Sequence, residues 1–182
     1  MEAQSGQTRG KGQEEMRKTA AVLVAGLLAV AAPARAAETP SLLELGAGIF
    51  DIGESNATAV VGLEWRGQPM LWWFRPMVGA QVTGDSALYG YAGLALELWF
   101  ADKQIVLTPS AAVGAFRRGH GTDLGHTIQF RTGATLQYRC ANDIRIGLSF
   151  HHLSNAGLGK RNPGEETLML TYSVPTDRLF GR

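Results

Sequence analysis

Alternation of apolar and polar residues dominates the chain beyond residue 40. It is clearest from Gln129 to Cys140, where one set of alternate positions reads Phe, Thr, Ala, Leu, Tyr, Cys and the other reads Gln, Arg, Gly, Thr, Gln, Arg. Because successive side chains of a strand point to opposite faces, this segment is predicted to be a two-faced strand. The period of two recurs along the chain. The predicted strands are 42–52, 57–66, 71–83, 87–100, 105–117, 127–140, 143–154 and 166–175.

The length and number of these strands suggest how they are arranged. Each has about ten residues, and a tilted strand needs roughly 9–11 residues to cross a bilayer. Turn-forming sequences such as ESN, RGQP, GDS and CAND separate them. An even number of antiparallel strands can close without a free edge, as the membrane interior requires. We therefore predict an all-β fold, an eight-stranded antiparallel transmembrane β-barrel that comprises residues 37–182.

The two faces of the predicted strands differ in chemistry. The polar face carries both signs of charge, at Glu44, Glu64, Glu97, Arg75, Arg131, Arg139 and Arg145. Paired charges suit the lumen of a small barrel, which side chains fill. Aromatic residues on the other face or near strand ends are expected to form interfacial girdles. They are Trp65, Trp72, Trp99, Tyr138 and Tyr172. Periodicity alone also allows a soluble lipocalin-like barrel with its apolar face inward.

Residues 1–36 are predicted to be an N-terminal extension and a cleaved signal peptide, with translation starting at Met16. A basic pair follows Met16 and precedes a single apolar run, which a proline ends. The sequence Ala-Arg-Ala then supplies a small-x-small cleavage pattern. The run is too short and wrongly flanked for a membrane-spanning helix. The alternative is an N-terminal helix buried in the protein.

Composition narrows the class of protein. The chain has 182 residues, a net charge of +1 and no strongly basic or acidic block, so a nucleic-acid partner is not expected. The lone Cys140 cannot form an internal disulfide and does not indicate a metal site. Neither a metal nor a cofactor is predicted. Export without disulfides, with a strand-rich and glycine-rich body, is typical of a bacterial envelope protein.

Polar residues interrupt the lipid-facing pattern at the last hairpin. The outward set that ends at Phe150 continues to His152 and Ser154, and the outward set of the last strand extends back to Glu166. Ionisable groups facing lipid cost roughly 2–4 kcal/mol for Lys or Arg at mid-bilayer, and less near the interface. Three polar groups on one face provide a nucleophile, a base and an orienting acid. The alternative is a polar cluster at the barrel rim without catalytic function.

The amino-acid sequence of this hairpin resembles that of one protein family. The run His152-Leu153-Ser154-Asn155-Ala156, followed twelve residues after the serine by Glu166, resembles the lipid A deacylase family called PagL. The resemblance implies an outer-membrane lipid A 3-O-deacylase, which hydrolyses the ester-linked acyl chain at the 3-position of lipid A. It also implies roles: Ser154 attacks the ester, His152 transfers the proton and Glu166 orients the imidazole.

Further roles in the same loop follow from the resemblance. The family pattern indicates Asn162 and the backbone around Gly157 as donors for the oxyanion, and Asn155 is a further candidate for an oxyanion or supporting role. Pro163 departs from the expected pattern and removes one backbone donor.

Basic residues and histidines occupy the outer loops. Lys160 and Arg161 either contact the phosphates of lipid A or form a solvated pair. His120, His126 and Asp123 lack a closed ligand set, so we interpret them as loop residues rather than a metal site.

Topology predicts the direction of the site. Both termini of an even-stranded barrel lie in the periplasm, so the seventh strand runs outward and the active site faces the outer leaflet of the bacterial outer membrane. The expected partners are lipopolysaccharide, other outer-membrane lipids and a second copy of the chain in a homodimer. Two alternatives stay open: a structural or adhesive small barrel without activity, and an outer-membrane phospholipase.

Overall fold

The computed structural model describes residues 39–70 and 73–180. The predicted extension and signal peptide, residues 1–36, and Trp72 lie outside the described residues. The strands are β1 (Leu42–Phe50), β2 (Thr58–Arg66), β3 (Phe74–Thr83), β4 (Leu88–Leu96), β5 (Leu98–Phe100), β6 (Ile105–Arg117), β7 (Ile128–Arg139), β8 (Arg145–Ser154) and β9 (Glu165–Pro175). A 3-10 turn (Ala141–Asp143) and helix α1 (Thr176–Phe180) complete the elements.

No helix in the described part of the chain is both long and apolar enough to span a membrane.

The strands form one closed antiparallel sheet. Their order is β4-β3-β2-β1-β9-β8-β7-β6-β5, and pairing of β4 with β6 closes the circle. Segments β4 and β5 are two parts of one strand, because Ala95 lies opposite Ser110 and Leu98 lies opposite Leu107 in the same register. The break falls beside Pro109, which has no N–H to give to the ladder. The predicted eight-stranded antiparallel barrel is therefore confirmed.

Charged residues fill the lumen. Glu64 accepts from Arg66 at 2.6 Å and from Arg131 at 3.2 Å. Arg75 and Arg145 each donate to the same Glu97 oxygen at 2.6 Å. These side chains are almost entirely buried. Because buried charges are tolerated only when they are paired, the lumen is a network of mutually dependent ions.

The outer wall is apolar and the lumen is polar. This is the arrangement of a membrane barrel, whereas a soluble lipocalin-like barrel has its apolar face inward. Large exposed hydrophobic residues include Leu45, Val61, Leu63, Val78, Leu94, Val113, Leu136, Leu148, Phe150 and Leu170. Trp65, Tyr138 and Tyr172 are exposed on this wall, as a girdle requires.

Trp99 does not join the girdle, and its prediction as a girdle residue is wrong. It is only 5% exposed, and its ring lies under the Arg145 guanidinium at a distance of 4.8 Å. The alternation puts Trp99 on the same inward face as Glu97, where a cation–π contact becomes available. Strand β1 also ends earlier than predicted, because Asp51 adopts a positive φ of 61°.

The two ends of the barrel differ. Loops 51–57, 84–87, 118–127 and 155–164 lie at one end, which we call the long-loop end. The connection between β2 and β3 and the connections 101–104 and 140–144 lie at the other, together with the first described residues and helix α1. The two longest loops, 118–127 and 155–164, share the long-loop end, and this is the asymmetry of outer-membrane barrels.

Candidate functional site at the long-loop end

Strands β8 and β9 bring a histidine and a glutamate together at the long-loop end. His152 lies directly opposite Glu166 in the antiparallel register. Its Nδ1 is 3.0 Å from Glu166 Oε1, and the two side chains are 42% and 44% exposed. A carboxylate that accepts from Nδ1 fixes the tautomer and leaves Nε2 to exchange a proton. The pair therefore has the geometry that a base and its orienting acid would need, on the outer wall of the barrel.

Ser154 lies two residues beyond His152 on the same face of β8. It ends the strand, opposite Phe130 of β7, and is half-buried. Side chains at this spacing are roughly 6.6 Å apart at the backbone, within reach of each other through a side-chain rotation. Within the described residues, Ser154 Oγ makes no hydrogen bond to His152. Such contacts are commonly long before substrate binds and tighten in the complex.

Gly164 makes room for the imidazole, and sequence reasoning missed it. A Cβ at this position would lie 2.8 Å from His152 Cε1, and the residue has a φ of 73°. Both observations favour glycine, because a side chain is disfavoured at this φ and its Cβ would also push the imidazole ring away from its place. In the sequence, the Pro-Gly pair before Glu165 indicates only a turn.

Asn155 links loop 155–164, which we call the site loop, to loop 118–127 by hydrogen bonds. The side chain is fully buried, and Nδ2 donates to Leu124 O at 2.8 Å and to Arg161 O at 2.6 Å. Its Oδ1 accepts from Gly157 N–H at 2.9 Å. Because both amide hydrogens are directed to backbone carbonyls, the geometry favours a supporting role over that of an oxyanion donor.

Asn162 is held in the same loop through its amide oxygen. Its Oδ1 accepts from Asn155 N–H at 2.9 Å. Nδ2 has no acceptor among the described residues, and the side chain is exposed. Gly157, at a φ of 83°, instead directs its N–H to Asn155. Of the two predicted donors, Asn162 is therefore the one whose N–H groups are not engaged within the described residues.

Lys160 and Arg161 are both exposed on the site loop, but their surroundings differ. Arg161 pairs with Asp123 at 2.9 Å, whereas Lys160 has no carboxylate within 4.0 Å among the described residues. The Gly125 N–H, with Arg161 beside it, lowers the pKa of Asp123 below its usual value. Within residues 39–70 and 73–180, no cluster of His, Cys, Asp or Glu is arranged for a metal ion.

His151 and Glu165 are the lumen-facing neighbours of His152 and Glu166, and their hydrogen bonds are made with other buried residues. His151 is buried in the lumen and accepts from Arg131 Nη2 at 2.8 Å. Glu165 is buried as well, and it accepts from Thr167 Oγ1 at 2.8 Å and from Asp51 N–H at 3.3 Å. As the alternation predicts, adjacent residues of one type are divided between the lumen and the outer wall.

Comparison with known proteins identifies a family. The family model described as Lipid A 3-O-deacylase (PagL) matches residues 55–175. The crystal structure of the outer membrane enzyme PagL superimposes with a TM-score of 0.61 at 24% identity, covering 74% of this chain and 99% of that chain.

Two further structures resemble the chain at lower TM-scores. One is a de novo designed transmembrane β-barrel, with a TM-score of 0.46 and 17% identity over 75% of this chain and 98% of that chain. The other is the Yersinia pestis outer membrane protein Ail in a phospholipid bilayer nanodisc, with a TM-score of 0.43 and 12% identity over 73% of this chain and 99% of that chain. No match is found among curated proteins. By the family model, which spans most of the barrel, the chain belongs to the lipid A 3-O-deacylase (PagL) family.

Proposed function

We propose that this protein hydrolyses the ester-linked acyl chain at the 3-position of lipid A with Ser154, His152 and Glu166. The observation that carries the proposal is the His152–Glu166 contact of 3.0 Å on the outer wall, on the same face as Ser154. A triad is recognised by geometry and roles, and the three side chains have the required types, with His152 in contact with Glu166 and on the same face as Ser154. Family membership supplies the substrate class.

The reaction begins with the serine. Ser154 Oγ attacks the ester carbonyl carbon while His152 Nε2 takes its proton, and Glu166 stabilises the resulting imidazolium through Nδ1. When the tetrahedral intermediate collapses, the ester C–O bond breaks and the sugar hydroxyl leaves with the proton from His152. Water then attacks the acyl-enzyme with His152 as base, and the free fatty acid and Ser154 are released.

The developing oxyanion needs donors, and Asn162 Nδ2 is the candidate that the geometry favours. Its amide oxygen is held by the Asn155 N–H, and its side chain is exposed. An oriented donor that needs no rearrangement stabilises the charge most effectively. The Gly157 N–H would contribute only after releasing Asn155 Oδ1.

The position on the outer wall accounts for the substrate. Exposed apolar residues such as Phe150 and Leu148 precede His152 along β8, so the wall below the triad suits acyl chains. The loops above it are hydrated and supply water for deacylation. The first described residues and helix α1 lie at the opposite end of the barrel. On this proposal, the triad therefore faces the outer leaflet of the outer membrane, where lipopolysaccharide resides.

Mass spectrometry of lipid A from cells that produce the protein tests the proposal. Wild-type protein is expected to remove one ester-linked acyl chain, and a Ser154→Ala variant that inserts normally is expected to leave lipid A intact. Ser149→Ala is the matched control, because Ser149 lies on the same strand but is buried in the lumen. Glycerophospholipids assayed in parallel distinguish a phospholipase. Lipid A that stays fully acylated with wild-type protein contradicts the proposal.

A further inference from the structure

A groove with basic walls opens beside the site, on the β6–β7 hairpin at the long-loop end. Its volume is about 580 Å³. The lining residues are Phe116, Arg117, Arg118, Asp123, Gly125, His126 and Thr127, and we call this the basic groove. The triad residues do not line the groove, and the hairpin that forms it is not the hairpin that carries Lys160 and Arg161.

Cations outnumber anions in the basic groove. Arg118 lies 3.5 Å from Asp123, an exposed pair that is worth little in water. Arg117 is exposed and has no carboxylate within 4.0 Å in the described part of the chain. It follows Val113 and Ala115 on the outward face of β6, so its guanidinium lies at the upper edge of the apolar wall. A charge at that depth is expected to meet the headgroups of lipids.

His126 adds a ring donor to the basic groove. Its Nδ1 accepts from Ile128 N–H at 2.9 Å, which leaves Nε2–H as the donor available to a ligand. Guanidinium groups with a ring N–H beside them form the set of donors that phosphate oxygens accept best.

The basic groove lies within headgroup distance of the triad. Ser154 is opposite Phe130 of β7, and Phe130 is opposite Val113 of β6. Arg117 is four residues further along β6, so strand spacing and rise put its Cα roughly 16 Å from that of Ser154. A sugar headgroup whose ester is at Ser154 can therefore reach the groove with a phosphate, because the arginine side chain spans part of the distance.

We propose that the basic groove binds a phosphate of the lipid A headgroup and so selects phosphorylated substrate for the triad. This inference rests on the proposed deacylase function. Arg117 and Arg118 contact the phosphate as charged donors, with the His126 Nε2–H as a third. Binding there holds the headgroup while the acyl chain lies along the wall below Ser154.

The test compares substrates that differ in phosphate. The double variant Arg117→Gln/Arg118→Gln is assayed on bisphosphorylated lipid A, on dephosphorylated lipid A and on an uncharged p-nitrophenyl acyl ester in the same detergent. We expect about a tenfold fall in kcat/KM on the phosphorylated substrate alone, mostly through KM, since hydrogen bonds to charged groups are lost. Lys103→Gln, at the opposite end of the barrel, is the matched control and is expected to change nothing.

Lipid binding by a variant that cannot catalyse the reaction provides a second arm of the test. Ser154→Ala protein should bind vesicles that contain phosphorylated lipid A more tightly than vesicles with dephosphorylated lipid A, and the arginine double variant should lose the difference. An equal loss on all three substrates, or no loss on phosphorylated lipid A, overturns the proposal. Inorganic phosphate at constant ionic strength should weaken binding of phosphorylated lipid A to Ser154→Ala protein but not to the arginine double variant, and equal competition in both also overturns the proposal. If wild-type protein cleaves only the p-nitrophenyl ester, the deacylase function fails, and the vesicle arm still decides the groove.

Discussion

The two faces of the β8–β9 hairpin use the same residue types for different purposes. On the inward face, His151 and Glu165 are buried and surrounded by donors from Arg131, Thr167 and the Asp51 backbone. On the outward face, His152 and Glu166 contact each other and are otherwise half-exposed. One residue along the strand changes a histidine from a structural element to a candidate base. Residue type alone therefore does not indicate catalysis.

What separates the two His–Glu pairs is the number of uncommitted side-chain atoms. His151 and Glu165 are held by contacts with Arg131, Thr167 and the Asp51 backbone, so a substrate would have to break those contacts to react there. The outward pair leaves His152 Nε2 free to exchange a proton with Ser154 and substrate. Chemistry is expected where the partners are incomplete, and stability where they are complete.

Exchanging the two histidines for asparagine gives the largest expected difference. His152→Asn should lower kcat of lipid A deacylation by about a thousandfold, because the general base is lost. His151→Asn should keep kcat within about threefold and lower stability instead, since Arg131 loses a buried acceptor. The measurement is deacylation rate and urea unfolding midpoint in lipid vesicles. Equal rates for the two variants would remove the distinction between the faces.

Substitutions of the two glutamates, Glu165 and Glu166, should differ less in their effect on kcat than substitutions of the two histidines. Glu166→Gln keeps the shape but loses the charge that stabilises the imidazolium, so kcat should fall about a hundredfold. Glu165→Gln should leave kcat nearly unchanged, because Glu165 contacts Thr167 and Asp51 and not His152. Rates of acyl-chain release by both variants, on the same substrate, check this. A larger loss for Glu165→Gln would mean that the lumen contributes to catalysis.

Gly164→Ala tests how tightly the imidazole is held. The added methyl would lie 2.8 Å from His152 Cε1, and the φ of 73° disfavours alanine. We expect kcat to fall about tenfold while the barrel stays folded. Gly53→Ala, at a φ of 90° with nothing within 4 Å of the added Cβ, is the matched control for backbone strain. If both variants lose activity equally, loop strain and not the imidazole explains the effect.

Alternation was sufficient to predict the barrel and to divide the residues between its faces. Glu64, Arg131 and Glu166 all lie on the faces that the period of two assigns to them. It could not predict the break at Glu97, which depends on Pro109 of a strand that is adjacent only in the folded sheet. Trp99 was misplaced because strand ends are also where girdle residues occur.

The loops were harder to predict than the strands. Sequence reasoning named Asn155 and Gly157 as oxyanion or supporting residues, but it could not show that they are hydrogen-bonded to each other. The role of Gly164 depends on a neighbour in space, His152, and on a positive φ that no periodicity reveals. Contacts between loops 118–127 and 155–164, such as Asn155 to Leu124, are long-range and have no local signal.

The smallest catalytic effect is expected from breaking the lumen. Glu64→Gln removes the carboxylate that Arg66 and Arg131 share. Arg66 keeps its pair with Glu44 at 2.8 Å, so Arg131 is the buried charge that loses its carboxylate, and such a loss costs about 3–5 kcal/mol. The urea midpoint in lipid vesicles should fall, while kcat at low denaturant stays within about twofold. Asp143→Asn is the matched control, because its pair with Arg139 is partly exposed and is worth at most about 1 kcal/mol. A variant that loses activity in proportion to stability would show that the inner network also positions the outer pair, and the two faces could then no longer be treated separately.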